Sequence, residues 1–315
     1  MTKIQINLLI HNLDRIIYTS KSLNFLKKIK SENKQKIKLV IFGGERKEYY
    51  NYLLNDLILN GIQTDYVFIV KSSTNYLNKI RYCVDNAKSE YSCCMDEDIL
   101  ISNFLWDFMI ENVDILQNNK NLFLSPLISN GIPTVDLFIE DFFNYEEKES
   151  IHELFTKTKI DNYWGVDYSS LNKHRETWDY KNYYDDVKKI NHHYKGIHPV
   201  RVSYEAHLKI AEIISTRPKK MVENSNFLIE NFNFPYFCNS FFIIKTSTWK
   251  KIIYSKELYR DMFDEVPLNL YTEKNNLSMC FIRNGFCLHM AYNTIGIESQ
   301  KNIERYYYNN FLTKI

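Results

Sequence analysis

Apolar residues gather in four short runs near the start of the chain, at 4–10, 37–42, 66–70 and 91–95, and these runs carry almost no charge. Continuous apolar runs of this length suit strands buried on both faces. The stretches between them, 15–30, 47–60 and 75–88, mix polar and apolar residues at helical spacing. In the last of these, Tyr76, Ile80, Cys83 and Ala87 recur at three- and four-residue steps and form one apolar stripe. Gly61 falls where the second helix should end, and Gly43-Gly44 closes the second strand. Strands alternating with amphipathic helices predict an α/β fold, a βαβαβαβ half on a parallel sheet with right-handed crossovers.

Beyond the fourth strand the regular alternation stops. A helix is expected from Asn103. The segment 144–234 is too long for a loop and must carry elements of its own. It is densely aromatic, with Tyr163, Trp164, Tyr168, Trp178, Tyr180, Tyr183, Tyr184 and Tyr194. Rings with one wet end suit the apolar faces of sugars, and they equally suit a packed aromatic sub-core. Within it, "HHYKGIHPVRVS" (192–203) brings His192, His193, His198 and Arg201 around Gly196 and Pro199. With no thiol or carboxylate at tight spacing this is a poor zinc site. A loop is expected there, with His198 and Arg201 contacting an anionic or hydroxylated ligand. Ser203 should cap a helix running to Ile214, with Ala206, Ile210, Ile213 and Ile214 facing a core. A strand at 241–244 and a helix at 247–253 should then return the chain to the sheet edge.

Bulk properties narrow the class. At 315 residues and 45% apolar content the chain can fill one large α/β domain or two smaller ones. Its net charge of +2 gives no global field toward nucleic acid or an acidic membrane. Cys83, Cys93, Cys94, Cys238, Cys280 and Cys287 show no C-x-x-C spacing and read as buried free thiols of a reducing compartment. The opening Met-Thr-Lys-Ile-Gln-Ile lacks a signal-peptide core, and no apolar stretch approaches the roughly 18 residues of a membrane span. The expected location is cytoplasmic, at most at the inner face of the membrane.

The chemistry concentrates at Asp96-Glu97-Asp98, just past the buried run Tyr-Ser-Cys-Cys-Met. In open α/β sheets ligands bind beyond the carboxyl ends of the strands. Residues at i and i+2 of an extended segment point the same way, so Asp96 and Asp98 can face one hard cation, Mg²⁺ or Mn²⁺. The plainer alternative is an acidic turn that caps the helix from Asn103.

Residues 4–98 resemble the donor half of the GT-A glycosyltransferases, especially the large bacterial group that uses nucleotide sugars. "LLIHNLDRIIYTSKSL" (8–23) is similar to the opening strand, the Asn-x-x-Arg-type turn and the helix that follows. "NKIRYCVDNAKSEYSCCMDED" (78–98) resembles the family's Arg/Asn-containing helix, its Ala-Lys-Gly-Glu-Tyr and its Leu-Asp-x-Asp. "YTEKNNLSMCFIRNGFCLHM" (271–290) resembles a Tyr-Gly-Glu-Asp-x-Asp-Leu stretch, an arginine-rich helix and Gly-Tyr, with Phe263-Asp264-Glu265 upstream like the family's Phe-Asp-Glu. Two positions depart from the pattern. Gly43-Gly44-Glu45 stands where the family usually has a base-reading Asp, and Lys274 replaces the acid beside Glu273.

The resemblance implies a GT-A donor-binding half at 1–140, an inserted acceptor-side region at 141–235 and a C-terminal part of the same domain at 236–315. It implies Asp96, Asp98 and His289 as metal ligands for Mn²⁺ or Mg²⁺. Donor contacts are then expected at His11, Asn12, Gly43, Gly44, Lys79, Arg81, Asp96 and Glu97. Glu273 is expected as general base, and Trp164, His198 and Arg201 on the acceptor side. The implied activity is transfer of a sugar from a nucleotide diphosphate, UDP as first choice, to a hydroxyl of a bacterial surface glycan. Partners are then a nucleotide sugar and a glycan or glycolipid, with no nucleic acid.

Blander roles stand beside these. Lys79 and Arg81 equally fit solvated helix charges, Glu273 a cap for a helix beginning near Asn275, and His289 an ordinary packed histidine. Two other functions stay open: a carbohydrate-binding protein that kept the fold without catalysis, and a sugar-phosphate nucleotidyltransferase. The latter wants a glycine-rich basic loop after the first strand, where this chain has His11-Asn12-Leu13-Asp14-Arg15.

Overall fold

The computed structural model describes residues 2–10, 15–44, 47–69, 76–159, 162–163, 166–175, 178–190, 198–217, 226–233, 237, 240–258, 265–290, 297–307 and 309–310. The chain forms two compact units, the first of Met1–Pro126, Ser225–Asn233 and Asn239–Cys287, the second of Leu127–Asn224, Phe234–Cys238 and Leu288–Ile315.

The first unit opens with β1 (Ile4–Leu9), α1 (Ile16–Lys27) and the short α2 (Ser31–Lys34). There follow β2 (Ile37–Gly43), α3 (Glu48–Leu59), β3 (Gln63–Phe68), α4 (Tyr76–Asn86) and β4 (Tyr91–Asp96). This is the expected α/β alternation. The strands lie in the order β3-β2-β1-β4 with every pair parallel. All six residues of β1 are buried, Gln5 and Asn7 included. The two polar side chains bond each other at 2.7 Å, and Asn7 donates to the Cys93 carbonyl at 3.1 Å. Buried amides are tolerated when paired in this way. The third strand starts three residues before the expected 66–70, because Gln63-Thr-Asp is polar. It is the outermost of the four, and an edge strand does not need a continuous apolar run.

Beyond β4 come β5 (Ile99–Leu100), α5 (Asn103–Asn112) and β6 (Asn121–Ile128). From late in the chain the unit adds β9 (Leu228–Phe232), β10 (Phe241–Lys245), α11 (Thr246–Ile253), α12 (Glu265–Lys274) and β11 (Ser278–His289). The sheet continues β4-β10-β6-β11-β5, and β9 pairs with β11. Two expectations are corrected here. β10 does not lie at the sheet edge: it runs antiparallel between β4 and β6, with Phe241 opposite Met95 and Lys245 opposite Tyr91. Its four buried residues, Phe-Phe-Ile-Ile, lack alternation because both faces are covered. No helix begins near Asn275. Asn276 adopts a left-handed φ of 49° after α12, and Met279–Arg283 then pairs antiparallel with β9. The run Met-Cys-Phe-Ile favours a strand over a helix at this place.

The second unit is mainly helical: α6 (Thr134–Phe142), α7 (Tyr145–Lys157), α8 (Tyr180–Ile190), α9 (Pro199–Val202), α10 (Tyr204–Ser215) and α13 (Ile297–Tyr307). A two-stranded ribbon of β7 (Asn162–Tyr163) and β8 (Val166–Asp167) lies between α7 and α8. Asn144 and Glu147 form a capping box at the start of α7, and Ser203 caps α10 as expected, accepting from Ala206 N–H at 3.2 Å. Ala206, Ile210, Ile213 and Ile214 are buried, also as expected. Cys83, Cys93, Cys94, Cys280 and Cys287 are free and buried; Cys238 lies outside the described residues. No described helix is long and apolar enough to cross a membrane.

Candidate metal and donor site

Asp96 ends β4, and its position is set by both neighbouring strands. In the ladder it stands opposite Leu9, the last residue of β1. Its own N–H donates to the Ser240 carbonyl at 3.1 Å, and the N–H of Glu97 donates to the Leu9 carbonyl at 3.2 Å. From α1, Thr19 Oγ1 donates to the Glu97 carbonyl at 2.9 Å. The acidic turn is therefore held in place by its backbone. It does not cap α5, a role taken by Ser102, whose Oγ accepts from Leu105 N–H.

Asp96 is half-buried, while Glu97 and Asp98 are each only 1% exposed. Oxygens of Asp96 and Asp98 come within 4.8 Å of each other. Arg15, in the first β–α turn, sends Nη1 to Asp98 Oδ2 at 3.1 Å and to Glu97 Oε1 at 3.5 Å. Arg15 thus sits against two of the three carboxylates of the turn. Hard carboxylate oxygens at a strand end are the donors that Mg²⁺ or Mn²⁺ takes, so the residues present fit such an ion. Arg15 is the participant that sequence reasoning missed. Its place in the turn after β1, at the same carboxyl edge as Asp96, was the available signal.

His289 belongs to the second unit and is the last residue of β11. It is 8% exposed. Its N–H donates to Ser129 Oγ at 3.3 Å, and its Nδ1 lies 3.0 Å from Asn130 Oδ1. The Asn130 amide nitrogen donates to the His289 carbonyl at 3.1 Å and sits 3.3 Å from Nε2 of His207. His207 is buried on α10, and desolvation first, then the nearby His289, push its pKa down to about 3. It is neutral at physiological pH.

The other expected donor residues are spread more widely. Gly43 does not open a space for ligand: a side chain there would meet Tyr66 Oη at 2.9 Å. The close approach this glycine permits is to the Tyr66 ring, whose hydroxyl donates to the exposed Gly44 carbonyl at 2.5 Å. Lys79 lies in the first turn of α4, at the end that follows β3. Arg81 lies two residues on, its guanidinium 5.8 Å from the centre of the Tyr254 ring. His11 and Asn12 fall outside the described residues, as do Trp164, His192, His193, Tyr194, Phe263 and Asp264.

Glu273 is exposed in the last turn of α12, and therefore does not cap a following helix. Lys274 pairs with Glu257 at 2.6 Å. His198 is corrected outright. It is fully buried, so it cannot reach a ligand from a loop. Its Nδ1 accepts from Val200 N–H and starts α9, and its ring packs edge-on against Phe155 and Trp178. Its Nε2 faces buried Asp136, which also accepts from Trp178 Nε1 and Tyr184 Oη, each at 2.9 Å. Arg201 is buried on the same short helix, at 6% exposure, and is likewise no loop residue. Tyr168, Tyr183 and Tyr184 form a packed cluster with Ile132, Leu171 and Val187, so for these rings the sub-core reading holds.

A scan against protein-family profiles finds no match, and a search of curated protein sequences finds none either. Among solved structures, the chain is similar to TarS of S. aureus, residues 1–349, at 13% identity and a TM-score of 0.32 over 41% of this chain and 37% of that one. A second TarS structure, in complex with UDP-GlcNAc, aligns at 11% identity and a TM-score of 0.31 over 40% of this chain and 35% of that one. GalNAc-T7 with UDP, GalNAc and Mn²⁺ aligns at 10% identity and a TM-score of 0.45, over 97% of this chain and 48% of that one. The chain thus spans between about a third and a half of these proteins' lengths.

Proposed function

We propose that this chain is a metal-dependent glycosyltransferase of the GT-A type. It moves a sugar from a nucleotide diphosphate donor, UDP first, to a hydroxyl of a bacterial surface glycan or glycolipid. The observation that carries the reading is the acidic turn at the end of β4: Asp96 and Asp98 close together, clamped by β1 and by Ser240, with Arg15 against Asp98. The sequence similarity around 78–98 supplies the chemical identity of that turn.

On this reading Asp96 and Asp98 hold Mn²⁺ or Mg²⁺, and the sequence similarity around 271–290 supplies His289 as a third ligand. The ion, when bound, supplies Lewis-acid stabilisation to the leaving diphosphate. The protein's own groups do the rest. Glu97 and the backbone bonds to Leu9 and Ser240 keep the two aspartates in register. Arg15 pairs with Asp98 and Glu97 and so holds the acidic turn in shape. Lys79 and Arg81 meet phosphate charge, Asn12, His11 and Gly44 line the nucleotide, and Gly43 shapes the wall by admitting Tyr66. Glu273, exposed at the end of α12, takes the proton of the attacking hydroxyl. Trp164 and Arg201 serve the acceptor side, Arg201 from within its helix.

The test is nucleoside diphosphate binding by calorimetry with Mn²⁺ and with EDTA. Affinity should depend on metal, Asp98→Asn should abolish that dependence, and product should form from a nucleotide sugar. Equal affinity with and without metal would refute the reading.

A further inference from the structure

His289 can serve a cation only through a ring nitrogen that carries a lone pair. In a neutral imidazole one nitrogen donates and the other accepts, and the partner of the first fixes the role of the second. Here that partner is Asn130, itself 1% exposed. An amide can be turned either way, but this one faces a group that can only accept. Its Nδ2 donates to the backbone carbonyl of His289 at 3.1 Å and also lies 3.3 Å from Nε2 of His207. Oδ1 is thereby placed 3.0 Å from His289 Nδ1. A carbonyl oxygen at that distance requires the hydrogen to be on Nδ1.

We infer that Asn130 is a positioning residue: it locks His289 in the tautomer with Nδ1 protonated, so that Nε2 carries the lone pair offered to a divalent cation. Ser129 supports it by accepting from the His289 N–H at 3.3 Å, which fixes the backbone on which the ring turns. His207 receives the amide's second hydrogen, so neither end of the Asn130 side chain is left to rotate. Outer partners of this kind raise ligand basicity and set ring orientation at metal centres. No motif signals this role. Asn130 stands 159 residues from His289, in a turn after β6 with no motif around it.

The inference rests on the reading of His289 as a ligand, so the experiment has separate arms. Long-range ¹H–¹⁵N correlation spectra, taken at about pH 8 where ordinary histidines are neutral, report each ring's tautomer directly. The His289 signal is identified by its loss in His289→Gln. The Nδ1–H form is expected in the wild type and in Asn130→Asp, which keeps an acceptor, and should be lost in Asn130→Leu. Mn²⁺ affinity, read from the paramagnetic resonance of free ion, should fall about 10–100-fold in Asn130→Leu and less in Asn130→Asp. An Nε2–H ring in the wild type would overturn the inference. So would a folded Asn130→Leu protein with wild-type Mn²⁺ affinity. If Asn130→Leu does not fold, the wild-type tautomer and the Asn130→Asp protein decide. A wild type that binds no Mn²⁺ yet keeps the Nδ1–H ring would overturn the metal reading and leave the control by Asn130 standing.

Discussion

Replacing Arg15 by alanine tests the electrostatics of the acidic turn. The guanidinium is 13% exposed and lies 3.1 Å from Asp98 and 3.5 Å from Glu97, whose side chains are each 1% exposed. Removing one partner of a buried pair costs about 3–5 kcal/mol, because the remaining charge is left in a poorly solvating place. The residual exposure of Arg15 puts the expected loss near the lower end, about 3 kcal/mol. At about 2–4 °C per kcal/mol, Tm should fall by roughly 6–12 °C. Metal binding should respond with the opposite sign. A like charge 4 Å from a bound ion opposes it by up to about 4 kcal/mol per unit charge at an effective dielectric of 20. Relaxation will reduce that, but Mn²⁺ should bind Arg15→Ala at least about tenfold more tightly, a difference of about 1.4 kcal/mol. Calorimetric scans give the first quantity and titration calorimetry the second. In the double variant Arg15→Ala/Asp98→Asn, neutralising the acid should recover part of the lost stability, with a coupling of about 0.5–3 kcal/mol. An Arg15→Ala protein with unchanged Tm and unchanged or weaker Mn²⁺ binding would refute the reasoning.

Further outcomes follow from other residues. Glu273→Gln should lower kcat about 10²–10⁴-fold in single-turnover transfer while leaving nucleotide and Mn²⁺ affinity intact; transfer at the wild-type rate would move the base elsewhere. Tyr184→Phe removes one of the donors to buried Asp136 and should cost about 1–3 kcal/mol in denaturant unfolding with nucleotide affinity unchanged, whereas weaker nucleotide binding would contradict the sub-core role. Asp186 is held well below the usual carboxylate range, first by Lys173, then by Lys189 and His174. Its pairing therefore stabilises the protein fully above about pH 4, and that contribution is lost as the pH falls toward the depressed folded value. Asp186→Asn should then cost up to roughly 1 kcal/mol at neutral pH, given the partial exposure of the pair, and progressively less in strong acid; a deficit that does not shrink on acidification would show that the pairing is not its source.

The parallel half of the sheet was legible because its buried strands read as uninterrupted apolar runs, and because the helices between them keep a clean period. The third strand was displaced by its polar start, which an edge position tolerates. β10 was legible as a strand but not as a central one, since its neighbours β4 and β6 come from distant sequence. Asp96 and Asp98 could be singled out from spacing and position alone. Arg15 could not be assigned to Asp98 before the fold was known, because the two are 83 residues apart. His198 shows the limit from the other side. Beside Gly196 and Pro199 it reads as a loop residue, and only the approach of Asp136, 62 residues earlier, explains why its imidazole can be buried. The tyrosines and tryptophans of the middle segment gave no means of telling a ligand face from a core, since both call for the same rings.

The insertion of β10 beside β4 has a consequence for synthesis. The strand that carries the acidic turn gains one of its two neighbours from residues 241–245, about 150 positions after the turn leaves the ribosome. Until then the nascent chain presents Tyr91–Met95 as an open, uncharged ladder of N–H and C=O groups, a template for pairing with another chain. Such non-local pairing slows folding and prolongs that exposure. A truncated chain ending near residue 140 would hold every residue of β1 to β4 and still lack the cover, so it should self-associate more readily than the longer chain. Cutting this protein at the apparent end of its parallel half would thus yield an aggregating fragment, and a soluble domain would have to include the far strand.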